Sequence, residues 1–430
     1  MLPKILFFAE AVTSAHLFRP FWFAEKLANE GYEVHLATTQ THSLLSNNSS
    51  VNIHYLHGGL SSEVFLNSIR KGQIPFNKNV IAHNLKQDFG LIEQIKPDVV
   101  IDDFRLSLSI ASEKLKLPHL TINNITWSPY FESDPQIVPD IDVVQKFGVK
   151  MGGFLFKNLK SIFEKKILDP FNKIRKIEKL SAIDSIFKLY TSGAKVGYLD
   201  LIQFASGIDL PENHRFLGPL LFSFPSPLPE WWEKIDKTKP LVYVSLGSSG
   251  RSDLLPEIIR AFELTKYQVI VSTSGKKLNI NPTKNIYLTS YIPDDKVLPY
   301  CQLYVGNGGS GGAQQALAAN VPMLFLPDNY DQWLYSTMLE KLDLARILRP
   351  SLYREKCFLS EVEDLIYNNQ NQKYRKMISK EMKLANPVEN LKLFLDIESP
   401  NETNSTKVTK LDDVSDIESI EVNSDVKKVA

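Results

Sequence analysis

Five glycines lie within seven residues of this chain, at positions 306–312, where they are interspersed with Asn307 and Ser310. An apolar run at 303–305 precedes them, and a run of helix-forming residues begins at Ala313. A backbone without Cβ atoms lets a phosphate approach main-chain N–H groups closely, and a helix that starts here adds a partial positive charge. The pattern predicts an anion-binding turn, although glycines that serve only the close packing of a strand-to-helix turn explain the spacing equally well.

The composition limits the classes of protein to which such a turn can belong. A chain of 430 residues exceeds the roughly 250–300 residues at which single cores stop growing, so two domains are expected. Its 49 Lys and Arg offset 49 Asp and Glu, which argues against nucleic acid as the main partner. Because Cys301 and Cys357 are the sole cysteines, a disulfide framework and a thiolate metal site are excluded, and a reducing cytoplasm is predicted.

The apolar run at residues 5–8 is too short for a secretory signal, and Glu10 interrupts the apolar pattern. Nowhere does the sequence contain the run of about 18 apolar residues that a membrane-spanning helix requires. We therefore expect residues 5–8 to form a first buried strand and the protein to be cytoplasmic.

Apolar runs that alternate with helical patterns must position the glycine turn. In the first half, runs such as KILFF, EVHLAT and DVVIDD are separated by helix-length segments, as in a parallel sheet covered by helices on both faces. The alternation restarts after Pro240 with LVYVS and continues through LYVG and MLFLP. The predicted fold class is therefore α/β, with two doubly wound, Rossmann-like domains.

Proline-rich stretches and breaks in the alternation predict the domain boundaries. We expect a first domain at 1–218, a linker at 219–240, a second domain at 241–385, a helix that crosses back to the first domain at 386–397, and a tail at 398–430. The tail contains many Ser, Asp and Glu residues and no aromatic residue, so we expect it to be disordered.

Residues 140–195 interrupt the alternation with stretches such as FLFKNLKSIFEKKIL, whose apolar positions recur every three and four residues. This spacing predicts amphipathic helices. The favoured interpretation is a helical insert that packs its apolar face on the first domain. The alternative is peripheral membrane contact, with the basic face of the insert on an anionic membrane.

The segment YIPDDKVLPYCQLYVGNGGSGGAQQALAANVPMLFLPDNYDQW resembles the signature of the family-one nucleotide-sugar glycosyltransferases. That signature contains an aromatic-x-Pro-Gln, a Leu-rich helix, a His-x-Gly turn, a helical Glu, a Gly-Val-Pro and a closing Asp-Gln. More weakly, VYVSLGSS resembles the first strand and loop of the family's second domain. The resemblance implies the GT-B fold, in which two Rossmann-like domains face each other across a cleft, with a UDP- or dTDP-sugar as co-substrate and no cofactor.

The resemblance also implies roles for residues of the second domain. Tyr291 takes the place of the aromatic residue that stacks on the nucleobase, and Ser248 lies in the loop that closes over the phosphates. Asp331 and Gln332 match the pair that binds the sugar hydroxyls. The turn that contacts the diphosphate corresponds to Asn307, Gly309, Ser310, Gly311 and Gly312, and the residue that binds the ribose corresponds to Gln315.

Three positions depart from the family pattern. Asn307 replaces a phosphate-binding His and brings no positive charge, although its amide still donates a hydrogen bond. Gln315 replaces the ribose-binding Glu and accepts less strongly than a carboxylate would. Asp294 replaces the Gln that follows the aromatic-x-Pro. Weaker donor affinity, an unusual nucleotide or a loss of catalysis are all open interpretations.

In the first domain, AEAVTSAHLFRPFWFAEKLANEGYEVHLAT resembles the family's first loop and helix. The resemblance implies that His16 is the general base of an inverting transfer without a metal ion and that Asp103 orients it. His16 also follows the first strand, where such sheets bind ligands. Asp102 points to the opposite side of its strand, and one of the two carboxylates could instead cap the next helix, so we favour Asp103 over Asp102.

The acceptor is expected to bind in the first domain, near the Phe- and Trp-bearing segments at 18–23 and 127–131 and the insert, which suggests a lipophilic small molecule or a lipid. Two alternatives to a transferase are open. A binding or auxiliary protein without catalysis would explain Asn307 and Gln315 but not the coexistence of His16 and Asp103. A sugar-nucleotide epimerase of the same architecture fits the closing Asp-Gln pair less well.

Overall fold

The computed structural model of the protein describes residues 2–40, 45, 50–58, 60–70, 75–131, 137–223, 225–280, 283–368 and 371–397. The tail at 398–430, for which we predicted disorder, lies outside the described residues. Two parallel β-sheets with helices on their faces form the chain, which confirms the predicted α/β class with two doubly wound domains.

The first sheet has seven strands, all paired in parallel, in the order β3-β2-β1-β4-β5-β6-β7. Its central strands are buried on both faces, which explains their continuous apolar runs. The strands are β1 (Lys4–Ala9), β2 (Glu33–Thr38), β3 (Asn52–Tyr55), β4 (Val99–Asp103), β5 (His119–Asn123), β6 (Lys195–Tyr198) and β7 (His214–Phe216). The helices are α1 (Ser14–Asn29), α2 (Ser62–Arg70), α3 (Lys78–Ile95), α4 (Leu108–Leu115), α5 (Asp142–Ile177) and α6 (Ile186–Tyr190).

The second sheet has six parallel strands in the order β10-β9-β8-β11-β12-β13. They are β8 (Leu241–Ser245), β9 (Gln268–Ser272), β10 (Ile286–Thr289), β11 (Leu303–Gly306), β12 (Met323–Phe325) and β13 (Ala345–Ile347). The helices are α7 (Leu255–Glu263), α8 (Asp294–Val297), α9 (Ser310–Ala318), α10 (Tyr330–Lys341), α11 (Glu355–Tyr367), α12 (Gln372–Leu384) and α13 (Pro387–Leu395). Short 3-10 helices lie at Ile125–Trp127, Ile202–Ala205, Glu230–Lys234, Ser252–Leu254, Leu298–Tyr300 and Pro350–Leu352.

Each sheet reverses its strand order once. In the first sheet the reversal lies between β1 and β4, and in the second it lies between β8 and β11. Ligands of open parallel sheets bind at such switch points, beyond the carboxyl ends of the strands. The fold thus places the loops after β1, β4, β8 and β11 where a ligand is expected.

An apolar junction joins the two domains. One cluster of buried side chains contains Tyr198 and Phe204 from the first domain together with Ala313 and Tyr335 from the second. In addition, α13 returns to the first domain, where Leu391 belongs to the same buried cluster as residues of β1 and α1. The side chain of Lys392 donates to Glu30 Oε2 at 2.8 Å at this contact.

The insert consists of the long helix α5 and the short helix α6. Gly148 has a non-helical backbone, with φ 79°, and kinks α5 near its start. The C-terminal part of α5 packs on the first domain through the buried residues Leu168, Phe171 and Ile174, as the favoured interpretation predicts. Among the described residues, no helix is both long enough and apolar enough to cross a membrane.

Candidate active site

A large cavity of about 630 Å³ lies between the two switch points. Both domains line the cavity. It brings together eleven of the twelve residues to which the sequence analysis gave a catalytic or donor-binding role. These are His16, Asp103, Ser248, Tyr291, Asn307, Gly309, Ser310, Gly311, Gly312, Asp331 and Gln332. Residues 290 positions and more apart in the sequence therefore meet in one site.

On the first-domain side, His16 and Asp103 form a direct pair. Helix α1 begins just after β1 and carries His16 in its first turn, while Asp103 ends the adjacent strand β4. The Nδ1 atom of His16 lies 2.7 Å from Oδ1 of Asp103, and the imidazole stacks on Phe104. Because an ionised carboxylate only accepts hydrogen bonds, Nδ1 must carry the proton, which leaves the Nε2 lone pair of neutral His16 as a proton acceptor.

Arg19, to which the sequence analysis gave no role, holds the same carboxylate. Its Nε donates to Asp103 Oδ2 at 2.7 Å and its Nη2 to Oδ1 at 2.9 Å, while Nη1 donates to Asn124 at 2.9 Å. Burial by itself raises the pKa of Asp103, but the charges of Arg19 and His16 and their hydrogen bonds lower the pKa below its ordinary value. Asp103 is therefore ionised at neutral pH.

Asp102 faces a different set of partners. Its Oδ1 accepts from His119 Nε2 at 2.8 Å and from the Thr121 hydroxyl at 2.7 Å. Its Oδ2 accepts from the backbone N–H of Arg105 at 3.0 Å, just before α4. Of the two carboxylates, Asp103 is the one that contacts His16.

On the opposite side, the glycine turn follows β11 and leads into α9. The side-chain oxygen of Asn307 accepts the backbone N–H of Gly309 at 3.0 Å, which fixes the orientation of the amide. Gly308 has φ 77°, and a Cβ atom there would lie 1.8 Å from Ser336 Oγ. At Gly312 a Cβ atom would lie 2.3 Å from the Tyr304 hydroxyl. These two glycines are required by the tight packing of the turn.

Gly311 differs, because a Cβ atom there would meet nothing within 4 Å, although the residue lines the cavity. The first turn of α9 contains no acidic residue, and no side chain caps it. The first N–H groups of a helix lack partners within the helix. The turn therefore presents backbone donors and a partial positive charge to the cavity, an arrangement that binds anions.

Gln315 is the exception among the twelve residues. It is buried but is not one of the residues that line the cavity, and its Nε2 has no hydrogen-bond partner among the described residues. Its neighbour Gln314 does line the cavity and donates to the backbone oxygen of Leu199 at 2.7 Å. A ribose contact by Gln315 stays a prediction.

Asp331 and Gln332, at the start of α10, already have hydrogen-bond partners within the protein. Trp127, from the first domain, donates its indole N–H to Asp331 Oδ1 at 2.6 Å. Gln332 donates to Ser249 Oγ at 3.1 Å and accepts from the Asp328 backbone N–H at 2.8 Å, so it joins the loop after β8 to α10. The sequence placed Trp127 near the expected acceptor but carried no signal for its contact with Asp331, which lies 204 residues away.

Near Tyr291, the cavity contains the carboxyl group of Asp294, a half-buried residue. Asp294 accepts a hydrogen bond from the Tyr243 hydroxyl at 2.7 Å. Burial raises the pKa of Asp294 to about 6, although the Tyr243 hydrogen bond opposes the shift. Tyr291 lines the same region and is 45% exposed. Among the described residues, no group of three or more His, Cys, Asp and Glu side chains is arranged to hold a metal ion.

The first-domain half of the cavity is mainly apolar and aromatic. The insert contributes Phe156, Phe163, Ile167, Phe187 and Tyr190, and the segments at 18–23 and 127–131 contribute Phe18 and Trp127. Burial raises the pKa of the Tyr190 hydroxyl well above its ordinary value. This half suits an apolar ligand that presents a polar group to His16.

Known proteins resemble the chain in sequence. No family model matches it. It is 33% identical over 347 residues to the "PGL/p-HBAD biosynthesis glycosyltransferase" of Mycobacterium tuberculosis (strain ATCC 25177 / H37Ra), covering 80% of this chain and 81% of that protein. It is 31% identical over 347 residues to the "PGL/p-HBAD biosynthesis rhamnosyltransferase" of Mycobacterium bovis (strain BCG / Pasteur 1173P2), covering 80% and 77% of the two chains.

Solved structures share the fold. The spinosyn forosaminyltransferase SpnP superposes with a TM-score of 0.66 at 18% identity, over 92% of this chain and 100% of that one. The spinosyn rhamnosyltransferase SpnG complexed with thymidine diphosphate gives a TM-score of 0.65 at 15% identity, over 91% and 99%. At these identities the likeness concerns the fold alone, two Rossmann-like domains facing a cleft.

Proposed function

The chain belongs to the family of the PGL/p-HBAD biosynthesis glycosyltransferases and has the GT-B fold of the family-one enzymes, and we propose that it moves a sugar from a nucleoside-diphosphate sugar to a hydroxyl group of a lipophilic acceptor, with inversion at the anomeric carbon. One observation carries this proposal. The His16–Asp103 pair and the glycine turn, on different domains, line the same cavity.

The first-domain pair supports general base catalysis. The Nε2 atom of His16 takes the proton from the acceptor hydroxyl, whose oxygen then attacks the anomeric carbon from the face opposite the leaving group. Asp103 holds the Nδ1–H of His16 and offsets the positive charge that the imidazole gains. Such a base typically contributes about 10² to 10⁴ in rate.

The glycine turn supports departure of the leaving group. As the bond between the anomeric carbon and the diphosphate oxygen breaks, the electron pair stays with the nucleoside diphosphate. The backbone N–H groups at the start of α9 and the amide of Asn307 stabilise this developing charge. We propose that these donors act without a metal ion, so that activity is unchanged when EDTA is added.

The donor is proposed to be a dTDP- or UDP-sugar, with the nucleobase on the exposed ring of Tyr291 and the sugar hydroxyls at Asp331 and Gln332. Solved structures of the same fold include SpnG with thymidine diphosphate and VinC with dTDP. Because Trp127 occupies Asp331 Oδ1, the sugar hydroxyl must displace this indole or share the carboxylate with it.

The acceptor is proposed to be a lipophilic small molecule or a lipid with a hydroxyl group. The aromatic lining contributed by the insert, together with Phe18 and Trp127, supports an apolar body next to His16. We further propose a cytoplasmic location, supported by the two free cysteines Cys301 and Cys357.

A protein that binds the donor without catalysis is the second candidate, because Asn307 and Gln315 replace the family's His and Glu. One relative, 32% identical over 259 residues, is named "Inactive PGL/p-HBAD biosynthesis glycosyltransferase" of Mycobacterium bovis (strain BCG / Pasteur 1173P2). In the present chain the His16–Asp103 hydrogen bond of 2.7 Å supports an active enzyme instead.

The test is release of nucleoside diphosphate from UDP- and dTDP-sugars in the presence of hydrophobic phenols and sterols. We expect turnover with at least one pair and a fall of about 10² to 10⁴ in kcat for His16→Ala. His57→Ala is the matched control, since His57 is exposed and does not line the cavity. Full activity in His16→Ala would refute the mechanism, and donor binding without turnover would favour the second candidate.

A further inference from the structure

The outer face of α5 exposes an unusual concentration of large apolar side chains. Phe147, Met151, Phe154 and Ile162 are 52%, 58%, 65% and 51% exposed. They are spaced by three, four and eight residues, which places Met151, Phe154 and Ile162 on one side of the helix. Singly exposed apolar residues are common on protein surfaces, but a contiguous patch marks an interaction site.

Lysines surround this patch. Lys146, Lys150, Lys157, Lys165 and Lys166 are all exposed. Between residues 144 and 168 the sequence has a single acidic residue, Glu164, and this residue lines the cavity. Over residues 144–168 the outer face of α5 therefore combines apolar side chains with positive charge, and the exposed Asp169 that follows is paired with Lys173 at 2.6 Å.

The opposite face of the same helix borders the cavity. Phe156, Phe163 and Ile167 line it, and Phe156 also contacts Tyr330 of the second domain at a ring distance of 6.2 Å. At 100° per residue these positions lie roughly half a turn around the helix from Met151, Phe154 and Ile162. Helix α5 is thus a wall with the proposed acceptor site on one side and the cationic, apolar face on the other.

We propose that the outer face of α5 docks on the surface of an anionic lipid bilayer, with the apolar side chains at the headgroup boundary and the lysines on lipid phosphates. Docking on a bilayer would bring the site close to a lipophilic acceptor, and in this respect the proposal rests on the proposed function. The positive charge of this face is complementary to the negative charge of an anionic bilayer, which favours the bilayer as the partner. A second copy of the chain fits the face less well, because self-pairing would bring the two sets of lysines together.

The test is co-sedimentation of the full chain with vesicles of phosphatidylcholine, with and without phosphatidylglycerol, in the absence of donor and acceptor. We expect binding to the phosphatidylglycerol vesicles that weakens as salt increases. Replacing three exposed apolar residues, Met151→Ser, Phe154→Ser and Ile162→Ser, should weaken binding by about tenfold or more. Replacing Lys157, Lys165 and Lys166 by Gln should remove the dependence on phosphatidylglycerol.

Helix α12 of the second domain provides the matched control, because it also exposes lysines and the apolar residues Met377 and Leu384. The changes Met377→Ser and Leu384→Ser should leave vesicle binding unchanged. Three results would overturn the proposal: no binding to anionic vesicles, unchanged binding in the α5 variants, or a dimer in light scattering that the α5 serine variants dissociate.

These experiments test membrane docking and catalysis separately. The α5 serine variants should retain full turnover of a short, water-soluble acceptor, since their side chains point away from the cavity. Loss of vesicle binding with retained turnover supports docking by this face. If no acceptor is turned over but the vesicle results hold, the proposed function fails while the docking face stands.

Discussion

Asp103 has two side-chain partners, His16 and Arg19, and this sharing distinguishes the site from a simple His–Asp pair. Both carboxylate oxygens accept from Arg19, and one of them also accepts from His16. Burial acts to raise the pKa of Asp103, and the charge of Arg19 is the largest of the influences that lower it. Arg19 therefore acts as a positioning residue that keeps Asp103 ionised, although it also competes with His16 for this carboxylate.

The change Arg19→Gln should move the acidic limb of the kcat/KM profile to higher pH. With the guanidinium removed, the pKa of Asp103 rises, and below that pKa the protonated carboxyl no longer offsets the charge on His16. Measuring kcat/KM from pH 5 to 9 checks this. Arg19→Lys keeps the charge and should shift the limb less. Superimposable profiles for Arg19→Gln and the wild type would contradict the role given to Arg19.

Gly311 offers a test of the anion site that leaves the fold intact. The Cβ atom of a Val side chain there would meet nothing within 4 Å, and the side chain would extend into the cavity where the phosphates are proposed to lie. We expect Gly311→Val to change stability by no more than about 0.5 kcal/mol. Donor binding should weaken by about tenfold or more, because a lost hydrogen bond to a charged group costs about 1.5–3 kcal/mol. Calorimetric titration with UDP and dTDP measures this.

Gly308→Ala is the contrasting variant. Its Cβ would lie 1.8 Å from Ser336 Oγ, at a φ of 77°, so it should lower the melting temperature as well as donor binding. Equal donor affinity in Gly311→Val and the wild type would mean that the diphosphate does not approach the start of α9.

At the scale of elements, the turn between β4 and α4 sets the position of the catalytic pair. Phe104 has a left-handed backbone, with φ 65°, and its ring supports the imidazole of His16. The next residue, Arg105, is fully buried and donates to Glu10 Oε2 at 2.5 Å and to Asp88 Oδ1 at 2.9 Å. These ion pairs hold the turn in a conformation that a non-glycine residue rarely adopts.

Replacing Arg105 by Met should reduce the free energy of unfolding by about 3–5 kcal/mol, because two acidic groups lose their buried counter-charge. Urea unfolding monitored by circular dichroism measures the loss. The triple variant with Glu10→Gln and Asp88→Asn should recover part of it. If Arg105→Met were as stable as the wild type, the ion pairs would not be what holds the turn.

The periodicity of the sequence was sufficient to predict these elements, because strand and helix patterns are local. The roles of the glycine turn and of His16 came from the resemblance to the family-one glycosyltransferases, and the rule that ligands bind beyond the carboxyl ends of strands supported the position of His16 after β1. The orientation of Asp102 away from His16 also follows from local alternation. The network of Arg105 with Glu10 and Asp88 could not be predicted, since nothing near Arg105 indicates partners 95 and 17 residues away.

At the scale of the whole molecule, the contacts between domains were the least predictable. Trp127 reaches Asp331 across the cleft, and Ser14 lies 3.4 Å from Ser248 on the facing loop. Such pairs depend on the relative placement of two domains, which no short pattern encodes. The structure also identified Asp200, which the sequence analysis did not consider, at the centre of the junction.

Four donors from both domains converge on Asp200. The first domain contributes the Ile125 backbone N–H at 2.6 Å and the Asn124 amide at 3.2 Å. The second contributes the Tyr335 hydroxyl at 3.0 Å and the Gln314 amide at 3.3 Å. Burial raises the pKa of Asp200 to about 6, while the hydrogen bonds from Ile125, Tyr335 and Asn124 oppose the shift. At neutral pH the junction is therefore closed around a charged acceptor.

The pH dependence of stability should reveal this group. Its folded pKa of about 6 lies above the unfolded value of about 3.9, so its stabilising contribution is fully present below pH 4 and is lost as the pH rises through 6. Compared with Asp200→Asn, the wild type should lose about 2 kcal/mol of unfolding free energy between pH 4 and pH 7. The opposite titration of Asp103 is common to both proteins and cancels in this difference. Urea unfolding of both proteins from pH 4 to pH 7 measures this difference in stability. If the difference does not change with pH, or grows in favour of the wild type as the pH rises, Asp200 does not titrate as the burial of the junction requires.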